Sequence, residues 1–268
     1  MQKNIIVYDI GAANFVPAHF PLDNRFEYVH IEPDNRGLKK LKTWLKSKKS
    51  KAQHLFFQKA IGAKLQKAVL GLAEKNTSSK ILETAIDGSQ IEVEMETLPY
   101  LIEHNNLKAP NIIKIDVEGF ELKVLNGIDL NDDRLKVIEI EVTLNSDTLS
   151  GVITLLTANK FQLVKVRTHG DQDHNPRNWL RGKIHGLTRK LNLANYAIVK
   201  SEDSWSKPST PLTQIEFVFI RNIDLLSNDP VQKIICDIFG LAHRKGRSGR
   251  LKCGDRSVGI IKDLTLIR

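Results

Sequence analysis

The strongest constraint on this chain is a rhythm. Short runs of β-branched and aromatic residues alternate with stretches whose apolar residues recur at helical spacing, and several runs stop on an acid or a glycine. Residues 4–8 read as a buried strand that ends at Asp9 and Gly11. Residues 26–31 read as a second strand, stopped by Glu32 and Pro33. Residues 35–48 suit a helix, with Leu38, Leu41 and Leu45 on one side and lysines around them. Residues 53–58 make a third strand, and one or two peripheral strands fall within 81–95. A helix over 96–106 precedes a fourth strand at 111–115. A second helix then runs from Gly119 to about 126–127, before a fifth strand at 135–142. A helix at 148–159 is followed by strands at 161–166 and 215–220. Asp229 and Pro230 open a last helix over 229–243, and the basic tail after Gly246 reads as loosely held. Strands alternating with helices predict an α/β protein: a doubly wound, mostly parallel sheet covered on both faces, with ligands at the carboxyl ends of the strands.

The basic residues 167–214 interrupt the alternation, and their pattern predicts a helical insertion before the last strand. Composition fits one sizeable core: 41% hydrophobic and 26% charged over 268 residues. No apolar run approaches the roughly 18 residues of a membrane span. The two cysteines, Cys236 and Cys253, lack metal-ligand spacing, so neither a disulfide scaffold nor a cysteine-based zinc site is expected, and the cytoplasm is the expected compartment. The net charge of +9 is uneven, with residues 1–150 at −1 and the remaining 118 at +10. A near-neutral core followed by a basic C-terminal portion is the natural reading.

Three signals carry chemistry. In Val7-Tyr8-Asp9-Ile10-Gly11-Ala12-Ala13-Asn14 a strand ends in an acid and a small-residue turn follows. There Gly11 permits close approach of a ligand, and Ala12 and Ala13 keep space open. Glu32 lies 21 residues after Gly11, at the end of the next strand, where a carboxylate can accept hydrogen bonds from ribose hydroxyls. Ile112-Ile113-Lys114-Ile115-Asp116-Val117-Glu118-Gly119 sets Asp116 and Glu118 at the mouth of a central strand. Two of the three glycines of a dinucleotide fingerprint are missing, with Ala13 and Val16 in their places, and Asp9 would repel a pyrophosphate. An acid at that point suits a cation, so the sulfonium of S-adenosylmethionine is favoured over a nicotinamide cofactor.

These residues resemble a known family. Val7–Asn14, His30-Ile31-Glu32-Pro33, Lys59-Ala60-Ile61-Gly62, Lys114-Ile115-Asp116-Val117-Glu118-Gly119-Phe120-Glu121 and Val124-Leu125-Asn126-Gly127 are similar to the motifs of FkbM-type methyltransferases, a branch of the class I S-adenosylmethionine-dependent fold. The resemblance covers roughly residues 4–166 and 215–222. It implies a seven-stranded sheet with an antiparallel last hairpin and methyl transfer, typically to a hydroxyl oxygen. It places Asp9 and Gly11 at the methionine part and Glu32 at the ribose, with Ala13, Asn14 and Pro33 also among the cofactor-binding residues. Ala60 and Ile61 would flank the adenine, and Asp116 would lie near the methionine end and the acceptor. Ala13 stands where many class I enzymes have a second glycine, which would narrow the cleft. Residues 1–222 would then form the methyltransferase domain, with 167–214 covering the acceptor, and 223–268 a C-terminal helix and basic tail.

An alcohol acceptor has a high pKa, so a positioned base helps, and Asp116 or Glu118 is the candidate. His30 reads more simply as a packed strand residue, and His169, Asp171, Asp173 and His174 as a solvated loop rather than a metal site. Lys39, Lys40, Lys42, Lys46, Lys48, Lys49 and Lys51 read as a solvated helix face. Two later runs, Arg177–Lys190 around Trp179 and Arg244–Lys252, could hold an anionic acceptor. The leading expectation is O-methylation of a carbohydrate or other small hydroxylated acceptor. A nucleic-acid (RNA) methyltransferase and a degenerate cofactor-binding protein are the alternatives.

Overall fold

The computed structural model describes residues 4–73, 79–82, 89–143, 146–168, 197–200, 214–221, 229–239, 241–243 and 251–253. They form two compact units, divided between Val142 and Thr143. In chain order the elements are β1 (Ile5–Ile10), β2 (Phe26–Ile31), α1 (Asn35–Ser47), β3 (Gln53–Phe57), β4 (Ala60–Ile61), β5 (Gln66–Gly71), β6 (Lys80–Leu82), β7 (Gln90–Glu96), α2 (Leu98–His104), β8 (Ile112–Ile115), α3 (Glu121–Leu125) and β9 (Val137–Thr143). The second unit adds α4 (Ser146–Ala158), β10 (Gln162–Thr168), β11 (Ala197–Lys200), β12 (Gln214–Ile220), α5 (Pro230–Ile238), β13 (Leu241–His243) and β14 (Leu251–Cys253).

In the first unit β9, β8, β1, β2 and β3 lie side by side in that order, every pair parallel. β1 and β2 are buried along their whole length, so neither shows the alternation of a half-exposed strand, and Asp9, Glu27 and His30 are buried among their apolar neighbours. α1 buries Gly37, Leu38, Leu41 and Leu45 and turns its lysines outward. Its start is held by Asp34, whose side chain accepts from the Arg36 N–H at 2.9 Å. The chain leaves β1 for β2 and β3 on one side, then returns through β8 and β9 on the other. The switch point is therefore between β1 and β8.

Residues 60–96 build a second small sheet, ordered β4-β7-β5-β6, with β4 parallel to β7 and the other pairs antiparallel. Ala60, Ala68, Leu70, Val93 and Met95 form its core, with Leu72, Ile81 and Phe120 against them. The peripheral strands expected over 81–95 are β6 and β7, and β5 is an additional one. Its sequence, Gln-Lys-Ala-Val-Leu-Gly, buries only Ala68 and Leu70 and so carries little apolar signal.

In the second unit β10 pairs antiparallel with β12 and parallel with β11. The antiparallel pair matches the last hairpin expected from the family resemblance, and each unit by itself is mixed α/β. The helical insertion expected over 167–214 is not what the described residues there show. They are the end of β10, strand β11 and the first residue of β12, and the remainder lies outside them. The helix expected over 229–243 ends at Ile238 with Phe239 buried, and residues 241–243 pair as a strand with β14, inside the tail expected to be loose. Among the described residues no helix is long and apolar enough to cross a membrane.

Candidate active site

The switch point sets the site. Gly11 follows β1 with φ +83°, and Asp116 follows β8 and donates its N–H to the Ile10 carbonyl at 2.9 Å. A Cβ on Gly11 would stand 1.8 Å from the Asp116 carbonyl oxygen. The glycine expected to admit a ligand is thus required first by the crossing of two strand exits. Gly127 has a similar duty, because a Cβ there would lie 1.9 Å from the Gly62 carbonyl oxygen. This close approach ties the turn after α3 to the end of β4.

At the carboxyl ends of β1, β2 and β8 lies a cleft of about 410 Å3, counting the space open at its mouth. Six residues singled out from sequence line it: Gly11, Glu32, Pro33, Ala60, Ile61 and Asp116. The wall also includes Lys59, Leu70, Ser79, Ile81, Val117 and Phe120, which the sequence analysis did not single out. Leu70, Ser79 and Ile81 come from the small sheet and its approach, and nothing local in the sequence marks them. Lys59 and Phe120 sit inside the quoted motifs. Lys59 is held by Glu94 and by Glu96, the latter at 2.7 Å.

Glu32 is buried, and its Oε1 accepts the Asp34 N–H at 2.7 Å. Burial pushes its carboxyl up to about 7. The Asp34 N–H opposes the rise, and the charges of Asp34, Asp116 and Asp9 add to it. Asp34 is held below the usual carboxylate range: burial would raise it, but the bonds from Arg36 and Ser79 outweigh that. Ser79 Oγ donates to Asp34 Oδ2 at 3.1 Å, and Arg36 Nη2 donates to the Ala73 carbonyl at 3.0 Å. These bonds tie the start of α1 to the small sheet beside the cleft.

Asp9 does not line the cleft. It is 3% exposed, with Oδ2 3.0 Å from His30 Nδ1 and Oδ1 3.4 Å from Lys114 Nζ. Lys114 Nζ is also 3.2 Å from Asp116 Oδ2. Burial would raise the Asp9 carboxyl, but Lys114 and His30 hold it below the ordinary value. For Lys114 burial works the other way, yet Asp116 and Asp9 keep its ammonium well above the usual lysine range. The acid expected to greet a cationic ligand is therefore already paired. The carboxylates at the cleft itself are Glu32 and Asp116, and Lys114 partly compensates the second.

Ala13 is also absent from the lining. A Cβ on Gly37 would lie 3.3 Å from the Ala13 Cβ, so Ala13 fills against α1 rather than narrowing the cleft. Asn14 takes φ +67°, a left-handed position that asparagine tolerates, and does not line the cleft. Glu118 likewise has φ +48°, directly before Gly119 at +94°, and makes the turn after β8 rather than the cleft wall. His169, Asp171, Asp173, His174 and the run 177–190 lie outside the described residues, as do residues 244–250 of the last basic run. Among the described residues no group of three or more histidine, cysteine or acidic side chains is placed to hold a metal ion.

The chain is 11% identical to a precorrin-6y C5,15-methyltransferase from Geobacter metallireducens GS-15, with a TM-score of 0.41 and 82% of each chain covered. It is 10% identical to the structure described as StiE O-MT residues 942-1257, with a TM-score of 0.36, covering 88% of this chain and 74% of that one. No curated protein sequence matches it. The model of the methyltransferase FkbM domain matches residues 7–163, more than half of the chain and every residue of the cleft wall. The chain belongs to the FkbM methyltransferase family.

Proposed function

We propose that this protein binds S-adenosylmethionine in the cleft at the β1–β8 switch point and methylates a hydroxyl oxygen of a carbohydrate or other small acceptor. The supporting observation is the wall itself. A buried carboxyl, Glu32, ends β2, the apolar pair Ala60 and Ile61 comes from β4, and Asp116 ends β8, all on one cleft. That donor set fits the cofactor: a carboxylate for ribose hydroxyls, an apolar wall for a purine, and an acid toward a cation. Leu70 and Ile81 extend the apolar wall. When bound, the cofactor supplies a methyl group on a sulfonium whose departure leaves a neutral thioether.

The protein's own work is alignment and the handling of one proton. Gly11, with the backbone of Asp116 beside it, forms a rigid floor, and rigidity is what proximity requires. Asp116 lines the cleft and is the base in this proposal; Glu118, in the turn, is not. We take residues 1–222 as the catalytic domain, with 167–214 serving the acceptor, and the cytoplasm as its place of work.

Calorimetry with S-adenosylmethionine comes first, followed by incubation with radiolabelled donor and fractionated cell extract. Label in a glycan or small-molecule fraction supports the acceptor class, and label in RNA replaces it. Once an acceptor is in hand, Asp116→Asn should cut turnover by about a hundredfold or more while still binding cofactor, and Glu118→Gln should stay near wild type. Full turnover in Asp116→Asn would remove it as the base.

A further inference from the structure

Behind the cleft a row of ionisable side chains crosses the parallel sheet on one face. The strand register sets Glu139 beside Lys114, Lys114 beside Asp9, and Asp9 beside His30. Glu139, Asp9 and His30 are at most 3% exposed. From His30 the row continues outward, with His30 Nε2 3.0 Å from His54 Nδ1 and His54 Nε2 2.8 Å from Ser50 Oγ. Charged groups in such a place are costly unless each is matched, so a row like this implies a definite arrangement of protons.

The hydrogen bonds leave two arrangements. Asp9 accepts, so His30 Nδ1 carries a proton. With both imidazoles neutral, His30 Nε2 accepts from His54 Nδ1–H, and His54 Nε2 accepts from the Ser50 hydroxyl. Adding one proton reverses the outer part of the chain. His30 then donates at both nitrogens, His54 donates to Ser50, and the Ser50 hydroxyl turns to the Leu22 carbonyl, 3.3 Å away. His54 is the poorer place for that charge, because burial and the neighbouring His30 push its imidazole down to about 4.

The row touches the cleft through Lys114. Lys114 is shared between Asp9, inside the row, and Asp116, on the cleft wall. With His30 neutral, Asp9 relies on Lys114. With His30 charged, Asp9 is matched by the imidazolium and the ammonium is released toward Asp116. We propose that His30 is a positioning residue that divides Lys114 between Asp9 and Asp116, and so sets how much negative charge the cleft presents to a cationic ligand. This rests on the cleft being the S-adenosylmethionine site. The groups facing His30 are Asp9 of β1, Tyr28 stacked on it within β2, and His54 of β3, while Lys114 of β8 reaches it through Asp9, and Asp116, just after β8, through Lys114. Lys42 of α1 sits over the Phe56 ring that stacks on His30, and Glu139, with His19 at 2.9 Å, closes the far end of the row.

S-adenosylmethionine carries a positive sulfur, whereas S-adenosylhomocysteine carries a neutral one and shares the rest of the molecule apart from the methyl group. The ratio of their dissociation constants therefore reports the charge at the sulfur. In the wild-type protein that ratio, methionine form over homocysteine form, should rise roughly tenfold as pH falls from 8 to 5. Glu32, on the cleft wall with its carboxyl near 7, adds to that rise in any variant, so in His30→Asn, which keeps an N–H toward Asp9 but takes no charge, the rise should shrink to the part Glu32 supplies. A purely structural role would weaken both ligands alike and leave the ratio unmoved. Reciprocity supplies a second measurement that needs no variant: the imidazole pair, recognised in ring-15N spectra by its N–H···N coupling, should take up its proton at lower pH in the methionine complex than in the homocysteine complex. If both ligands bind but the two proteins share one pH profile, or the pair titrates identically in both complexes, the proposal is overturned. If neither ligand binds the wild-type protein, the cofactor assignment of the cleft falls, and this inference with it.

Discussion

At the scale of single residues, two positions carry opposite demands. Gly11 is dictated by space and conformation together, since a side chain would meet the Asp116 backbone and also force φ +83° on a non-glycine residue. Gly11→Ala should cost about 3 kcal/mol or more in urea unfolding, because the clash is with backbone rather than with a side chain that can swing away. Glu32 is the reverse, a residue the fold would prefer without its charge. Its carboxyl is raised from 4.5 to about 7, so the folded state holds the proton more tightly than the unfolded chain. Its contribution to stability is full below pH 4.5 and lost as pH rises through 7. Glu32→Gln should therefore stabilise the ligand-free protein at pH 8 by up to about 3 kcal/mol while weakening cofactor binding, readable as a higher Tm beside a poorer Kd. A lower Tm at pH 8 would show that the charge is better satisfied than its burial implies.

At the scale of elements, the start of α1 is the joint. Asp34 caps the helix, pairs with Arg36 at 2.7 Å and accepts from Ser79, so one side chain holds both the helix and the edge of the small sheet. Asp34→Ala should cost about 1–2 kcal/mol, and hydrogen exchange should quicken in β6 as well as in the first turn of α1. A loss confined to α1 would mean that the Ser79 bond does little. Several elements were legible in the sequence. β1 and β8 are mostly apolar with punctuated ends, β2 and β9 set β-branched and aromatic residues between such ends, and α1 has leucines at helical spacing. The small sheet was not, because β5 and β6 are short, half-exposed strands whose pairing rests on contacts between distant segments. The helical pattern of 229–243 misled for a related reason: local periodicity continues past Ile238, but the pairing of β13 with β14 claims the residues after it.

At the scale of the whole molecule, cofactor binding should act on the first unit alone. The cleft wall draws only on residues between Ile10 and Phe120. At a cofactor concentration a hundred times Kd, the gain for that unit is about 2.7 kcal/mol. Hydrogen-exchange protection should gather at the ends of β1, β2 and β8 and in the small sheet. Protection spread equally over α4, β10 and β12 would argue for a second place of binding.

The sequence by itself determined the alternation of strands and helices, the family, and six of the residues that meet at the cleft, because strand ends and glycine turns are written locally. Lys114 was also within reach, two residues before Asp116 and so on the same face of the strand. Only the tertiary structure decided that Asp9 faces inward, that Lys114 bridges two acids, and that His30 and His54 join in one chain. Those outcomes depend on the register of neighbouring strands, and register is settled by how whole faces of the sheet are buried rather than by any one segment.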